Sequence, residues 1–134
     1  MRFEFQGRKY NLNENIFEKV AKAAFSILGE REGLVEARFV SEQEIRKLNY
    51  RYRGKNKETD VLSFLLNESP LIGQIVICYT RAKKQAIEYG ETIDEEIIRL
   101  LIHGITHLYG YDHESVFEEN KMKKIENKIQ ESIR

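Results

Sequence analysis

All three histidines of this 134-residue chain lie in one short stretch, between His103 and His113. His103 and His107 are four positions apart, so a helix would place both imidazoles on one face, one turn apart. Two ring nitrogens at that separation can bind one metal ion at about 2.0–2.1 Å each. Gly110 predicts the helix end, since a residue without Cβ can adopt the left-handed conformation, and the reversed chain would return His113 to the same ion. Three imidazoles with an open fourth position are typical of a catalytic zinc site.

The spacing of this stretch resembles the zinc-protease signature H-E-x-x-H-x-x-G-x-x-H, with one departure. Gly104 stands at the position of the glutamate that takes a proton from the metal-bound water in those proteases. The absence of this base argues against ordinary peptide hydrolysis. The sequence therefore predicts a zinc hydrolase-like site with different chemistry around it. Three imidazoles suit zinc best, although nickel or copper can bind the same set.

The composition is typical of a globular protein, with 41% hydrophobic and 33% charged residues. No apolar run approaches the roughly 20 residues that a membrane helix needs, and the first residues contain no apolar signal-peptide core. The single cysteine, Cys78, fits a reducing cytosol and is predicted to be a buried, inert thiol. Because the formal net charge is +0, a nucleic-acid contact requires a local basic patch. We expect one cytoplasmic domain over residues 1–134.

Hydrophobic periodicity predicts an α+β fold, with about four strands in a mixed sheet, helices mainly on one face and a zinc-protease-like helix that carries the histidines. The predicted strands are residues 2–6, 34–40, 59–64 and 72–79, with turns at residues 7–9 and around Pro70 and Gly73. Four helices are predicted to begin after the caps Asn13, Ser41, Thr80 and Thr92, with capping boxes completed by Glu44 and Glu95. Gly29 and Gly90 predict helix ends. An amphipathic closing helix is predicted to bury Phe117, Met122, Ile125 and Ile129.

A basic segment interleaved with tyrosines precedes the third predicted strand. Its members are Arg46, Lys47, Tyr50, Arg51, Tyr52, Arg53, Lys55 and Lys57. Basic groups beside aromatic rings suit a phosphate backbone and stacked bases. On charge alone, a solvated loop is the simpler interpretation.

Several segments, taken in order, resemble the YbeY family of bacterial endoribonucleases and ribosomal RNA maturation factors. These segments are Leu48-Asn49, Tyr52-Arg53-Gly54-Lys55, Thr59 to Phe64, Gly73 with Ile75-Val76-Ile77, and His103 to His113. The resemblance implies a single-strand-specific, metal-dependent endoribonuclease that acts in 16S rRNA 3′-end maturation and in ribosome quality control. It also implies single-stranded RNA, ribosomal RNA and the 30S subunit or its proteins as partners.

The resemblance assigns His103, His107 and His113 as ligands of one Zn²⁺ ion and Arg53 as a catalytic, phosphate-facing arginine. The ion held by His103 would lower the pKa of its bound water toward about 7, which fits the missing glutamate. Arg53 would bind the scissile phosphate through two hydrogen bonds and stabilise its developing charge.

Three further residues are candidates for supporting roles. Asp112 either orients an imidazole or is a turn residue beside Gly110. Ser63 either binds substrate or satisfies a strand end, and Lys55 is a candidate for substrate binding. Gln74 and Leu65 depart from the aspartate and proline common in the family, which affects the sheet edge rather than the metal ligands.

Two other classes of function remain open from the residues alone. One is a zinc hydrolase of another substrate such as a peptide, against which Gly104 counts. The other is a non-catalytic ribosome-assembly or RNA-binding factor with a structural zinc. The basic segment fits RNA binding in general and does not separate this second class from an endoribonuclease.

Overall fold

The computed structural model describes residues 1–6, 10 and 12–134. Within those residues the strands are β1 (Arg2–Gln6), β2 (Leu34–Val40), β3 (Val61–Glu68) and β4 (Leu71–Cys78). The helices are α1 (Glu14–Leu28), α2 (Glu42–Arg53), α3 (Tyr79–Tyr89), α4 (Ile93–Leu108) and α5 (Val116–Ser132). The turn predicted at residues 7–9 lies outside the described residues. Among the described helices, none combines the length and apolar character that crossing a membrane requires.

The four strands form one mixed sheet in the order β1-β2-β4-β3. β1 pairs with β2 and β2 pairs with β4 in parallel, whereas β3 pairs with β4 in the antiparallel direction. The predicted mixed, four-stranded sheet is therefore confirmed. β3 is a terminal strand, and no strand of the described chain pairs with its outer side. That outer side leaves backbone hydrogen-bonding groups open beside the histidine motif.

Helices cover both faces of β4. Successive side chains of a strand point to opposite sides, so alternate residues of β4 enter two different cores. Ile75 and Ile77 belong to the larger core, which contains residues of α1, α3, α4 and α5. Val76 and Cys78 belong to a smaller core, which contains Ile45 of α2. Helices thus lie mainly on one face, as predicted, with α2 on the other. Cys78 is fully buried, and burial raises the pKa of its thiol, as expected for an inert side chain.

Two predictions about helix caps need correction. Thr80 lies inside α3, which begins at Tyr79 immediately after β4, with Cys78 at the cap position. A cap residue lies just before the first helical residue. Because β4 runs directly into α3, Thr80 already lies within the helix and cannot cap it. At α2, the Ser41 hydroxyl accepts a hydrogen bond from the Glu44 N–H, as predicted. The Glu44 carboxylate instead accepts from Arg38 of β2 at 2.7 Å, so the neighbouring strand takes the group that would complete the box.

Less of the closing helix α5 is buried than the sequence pattern predicts. Met122 and Ile129 are buried in α5, but Phe117 is 77% exposed. Phe117 lies in the first turn of the helix, and the buried side chains begin only at Met122. Phe117 has the spacing of a core residue, but its helical turn extends past the core, so its side chain stays exposed.

The basic segment is mostly helical rather than a loop. Its residues up to Arg53 continue α2, and Lys55 and Lys57 lie in the connection to β3. All of its basic side chains are exposed. Gly54 ends the helix at a φ of 69°, a left-handed conformation that glycine adopts without strain. The fold thus presents this segment at the end of the helix nearest the edge strand β3.

Candidate metal centre

α4 carries two of the three histidines on a helix with a well-defined start. The Thr92 hydroxyl accepts from the Glu95 N–H at 3.1 Å, and the Glu95 carboxylate accepts from the Thr92 N–H at 3.0 Å. The predicted capping box is therefore confirmed, and it satisfies two backbone donors of the first turn. The inward face of α4 is fully buried at Ile97, Leu101 and Ile105. This packing fixes the rotation of the helix and hence the direction in which its histidines point.

Gly104 lies where α4 comes closest to the sheet. A Cβ atom added at this position would lie 3.0 Å from Cγ2 of Ile75 and 3.1 Å from Oγ of Ser63. The Ser63 hydroxyl donates a hydrogen bond to the Gly104 carbonyl at 3.0 Å. A glutamate side chain here would have to enter the packed space between α4 and the sheet. The departure from the protease signature thus has a packing reason in addition to its chemical consequence.

The structure brings the three predicted histidines together. One ring nitrogen from each of His103, His107 and His113 lies within 4.8 Å of the others. The ring centroids of His103 and His107 are 4.7 Å apart, and those of His107 and His113 are 5.3 Å apart. The return of His113 follows a reversal at Gly110, whose φ is 93°. Two nitrogens bound to one ion lie at most about 4.2 Å apart, so small side-chain rotations bring this set to bonding distance.

The electrostatic environment favours the metal-binding form of His107. Burial lowers the pKa of His107, and the positive charges of His103, His113 and Arg53 lower it further. A lowered pKa keeps the imidazole neutral at neutral pH, and the neutral ring is the form that binds a metal.

Glu126 of α5 is the residue of this site that sequence reasoning missed. Its Oε2 lies 2.8 Å from Nδ1 of His103. When Nδ1–H donates to this carboxylate, Nε2 of the same ring is left free for a metal. The two residues are 23 positions apart, so no local spacing rule connects them. A half-buried acid beside Ile125 is a weak signal in a helix that contains several glutamates.

The remaining predicted residues lie near the cluster with other contacts. Asp112 accepts a hydrogen bond from the His113 backbone N–H at 2.7 Å, and the same oxygen is 4.0 Å from Nδ1 of His113. This geometry favours the turn role over the orientation of an imidazole. The Ser63 hydroxyl is engaged with Gly104, as described above. Lys55 is exposed in the connection between α2 and β3.

The two departures from the family pattern lie in the sheet and outside the histidine cluster. Gln74 of β4 pairs with Phe64 of β3, and Leu65 pairs with Gly73. Leu65 is 56% exposed on the terminal strand. Leucine keeps the backbone N–H that proline lacks, so β3 continues through this position.

We expect Glu126→Ala to weaken metal binding by about 10- to 100-fold, the usual cost of removing a group that orients a histidine ligand. Glu126→Gln keeps an acceptor for the His103 N–H, so its loss should be smaller. Zinc affinity is measured by competition with a chromophoric chelator. Glu119→Ala is the matched control, because Glu119 lies on the same helix and its exposed carboxylate pairs with Lys123 at 3.7 Å. Equal affinities in Glu126→Ala and Glu119→Ala would contradict the assigned contact.

Comparison with known proteins agrees with the geometry. The family model described as Endoribonuclease YbeY matches residues 2–134. The protein of that name from Aquifex aeolicus is 41% identical over 127 residues, which cover 91% of this chain and 85% of the relative. Its counterpart from Thermotoga petrophila is 38% identical over 120 residues, which cover 90% and 77%. The solution structure of a Thermotoga maritima protein matches with a TM-score of 0.61 at 31% identity and covers 98% of this chain and 89% of that one.

Proposed function

The chain belongs to the YbeY family of endoribonucleases, and we propose that it cuts single-stranded RNA in a metal-dependent reaction, as one domain over residues 1–134. We assign this activity to 16S rRNA 3′-end maturation and ribosome quality control in the cytoplasm, with the 30S subunit or its proteins as partners. The observation that carries the proposal is the group of three histidine nitrogens within 4.8 Å of one another. Three neutral nitrogen ligands leave a coordination position open, which a purely structural site would fill.

In this proposal His103, His107 and His113 hold one Zn²⁺ ion. When bound, the ion supplies a Lewis acid for a phosphoryl oxygen and a source of hydroxide at neutral pH. The protein keeps His107 neutral through burial and neighbouring charge. Glu126 accepts a hydrogen bond from Nδ1–H of His103, which leaves Nε2 of that ring free to bind the ion. These residues set the direction and protonation state of the ligands before any substrate arrives.

Two residues near the cluster have different proposed roles. Arg53 binds the scissile phosphate through two parallel hydrogen bonds and stabilises the negative charge that develops on it. Arg53 is exposed at the end of α2, directly after Tyr52, whose ring contacts β3, and this place on the edge of the sheet supports the role. Ser63 positions α4 through its hydrogen bond to Gly104, since this bond engages its hydroxyl hydrogen. Lys55, exposed just after the end of α2, binds a neighbouring phosphate as a point charge.

The structure offers less support for peptide hydrolysis. Gly104 has no side chain to act as a general base, and the contacts to Ile75 and Ser63 leave no room for one. The exposed basic side chains of α2 suit a polyanion, and a peptide has no phosphate for them to bind. An RNA substrate would therefore contact more of these basic side chains than a peptide would.

The direct test is cleavage of a single-stranded RNA that carries the precursor 3′ end of 16S rRNA, compared with the same RNA annealed to its complement. We expect cutting of the single strand alone, loss of cutting after chelation, and recovery when Zn²⁺ is returned. Binding without cutting would overturn the enzymatic proposal in favour of an assembly factor. Equal cutting of both RNAs would overturn the single-strand specificity.

We expect Arg53→Ala to lower kcat by about 100- to 1,000-fold, the usual cost of removing one preorganised group that stabilises developing charge. RNA affinity should fall much less, since many other basic side chains contact the backbone. Arg81→Ala is the matched control, because Arg81 is an exposed arginine of α3 paired with Glu58 at 3.8 Å. Single-turnover cleavage and filter binding separate the two effects. A loss of affinity with unchanged kcat would make Arg53 a binding residue only.

A further inference from the structure

A tyrosine ring lies exposed next to the arginine assigned to the scissile phosphate. Tyr52 is in the last turn of α2 and is 57% exposed. Its ring packs against Phe64 of β3, with centroids 4.8 Å apart and planes inclined at 51°. The guanidinium carbon of Arg51 lies 5.5 Å from the Tyr52 centroid. The ring is thus supported by a second aromatic side chain and flanked by a cation, while more than half of it faces solvent.

The edge strand connects this ring to the candidate metal centre. Ser63 and Phe64 are adjacent in β3, so their side chains lie on opposite faces of the sheet. Ser63 contacts Gly104, which lies between His103 and His107 on α4. Phe64 contacts Tyr52 on the other face. Adjacent Cα atoms are about 3.8 Å apart, so the ring and the metal-binding helix approach nearly the same point of β3.

The position of β3 keeps the path between these two faces open. β3 is the terminal strand of the sheet, so within the described chain no further strand separates the α2 face from the α4 face at this edge. Arg53 directly follows Tyr52 at the end of α2, where the Tyr52 ring contacts the edge strand. A nucleic-acid strand whose phosphate lies between Arg53 and the histidines can therefore pass the edge with a neighbouring base close to Tyr52.

We propose that Tyr52, supported by Phe64, is a stacking platform for one unpaired base next to the scissile phosphate. This inference rests on the proposed function and names the part of the substrate that the site recognises. An aromatic ring stacks on the face of any base, so the platform selects little among sequences. In a duplex the faces of each base are covered by its neighbours. The platform therefore gives a physical reason for cutting single strands rather than double strands.

The first experiment compares cleavage of one single-stranded RNA by Tyr52→Ala, Tyr52→Phe and Tyr89→Ala. We expect Tyr52→Ala to raise KM by about 5- to 150-fold with little change in kcat, the range expected for one stacked base. Tyr52→Phe keeps the ring and should restore KM. Tyr89 is the matched control, because it ends α3, is 58% exposed and has Arg99 at 6.0 Å from its ring. Equal KM values for Tyr52→Ala and Tyr89→Ala would overturn the proposal.

The second experiment changes the substrate, so that it does not depend on the folding of a variant. Single abasic nucleotides are placed in turn at the positions around the cut, and KM is measured for the unmodified chain. We expect one position to raise KM as strongly as Tyr52→Ala does. At that position Tyr52→Ala should cause no further increase, because the stacking partner is already absent. If Tyr52→Ala and the abasic nucleotide raise KM independently at every position, so that their fold-changes multiply, Tyr52 has a merely structural role and the inference is overturned.

Failure of the proposed function can be distinguished from failure of this inference. If the unmodified chain binds RNA without cutting it, the enzymatic proposal fails, and the same comparison is made on Kd by fluorescence anisotropy. A Kd that depends on Tyr52 only when the base is present would still support the platform. Normal cleavage with no effect of Tyr52 at any position would leave the enzyme in place and remove the platform.

Discussion

His107→Ala is expected to abolish metal binding and RNA cleavage together while the chain keeps its fold. The substitution removes one of the three proposed nitrogen ligands, so the loss in zinc affinity should exceed the roughly 100-fold upper range for groups that only orient a ligand. Cleavage should fall by about 1,000-fold or more, because the proposed ion would supply both the nucleophile and the Lewis acid. Alanine favours the helical conformation, and the buried face of α4 does not include His107. The fold should therefore survive the change.

Three measurements on this variant separate the possible causes. Metal content by mass spectrometry reports binding, cleavage of single-stranded RNA reports activity, and circular dichroism reports the fold. Lys123→Ala serves as the control, because Lys123 is exposed on α5 and pairs with Glu119 of the same helix at 3.7 Å. A variant that retains stoichiometric zinc would remove His107 from the ligand set. A metal-free variant that still cuts RNA at the normal rate would show that the ion is not catalytic.

Gly104→Glu is expected to restore the protease signature in sequence and to destabilise the protein without producing a peptidase. The Cβ atom alone would lie 3.0 Å from Cγ2 of Ile75 and 3.1 Å from Oγ of Ser63, and overpacking of this kind costs about 1–3 kcal/mol. Burial of a carboxyl group without a designed partner adds about 1–3 kcal/mol. The free energy of unfolding should therefore fall by about 2–6 kcal/mol, a large part of the total for a small domain.

Urea denaturation followed by circular dichroism measures this loss. Gly104→Ala is the matched control, because it adds only the Cβ atom at the same position. Its close contact with Ile75 should be offset in part by the higher helix propensity of alanine, worth about 1 kcal/mol relative to glycine. The packing explanation would be wrong if Gly104→Glu were as stable as Gly104→Ala, and peptidase activity in Gly104→Glu would overturn the assignment of the site.

The elements of this fold could be predicted where their determinants are local. Asn13 accepts a hydrogen bond from the Ile16 N–H at the start of α1, and Gly29 follows its end. The reciprocal bonds of Thr92 and Glu95 start α4 in the same way. These signals span only a few residues, so the chain carries them before any tertiary contact forms. The spacing of His103 and His107 belongs to the same class, since helical geometry alone puts both rings on one face.

The predictions that failed did so where another element, or the place of the residue in its own helix, overrode the local sequence pattern. The Glu44 carboxylate pairs with Arg38 of β2 in place of completing a cap. Thr80 lost its cap role because β4 leads into α3 without an intervening residue. Phe117 has the right spacing for a core position, but α5 meets the core only farther along. In each case the local pattern is real, and the surrounding structure decides how it is used.

The sequence by itself determined the residue types of the proposed metal ligands, the spacing of two of them on one helix and the glycine at which the chain turns back. Only the tertiary structure decided which partners those residues meet. Glu126 reaches His103, Ser63 reaches Gly104 and Phe64 supports Tyr52 through contacts between separate elements. Such pairs depend on how helices and strands rotate and slide as they bury their apolar faces, and a one-dimensional spacing contains no information about that register. The residue types of the site and their spacing are therefore set by local sequence, whereas the orientation of their side chains is set by packing between elements.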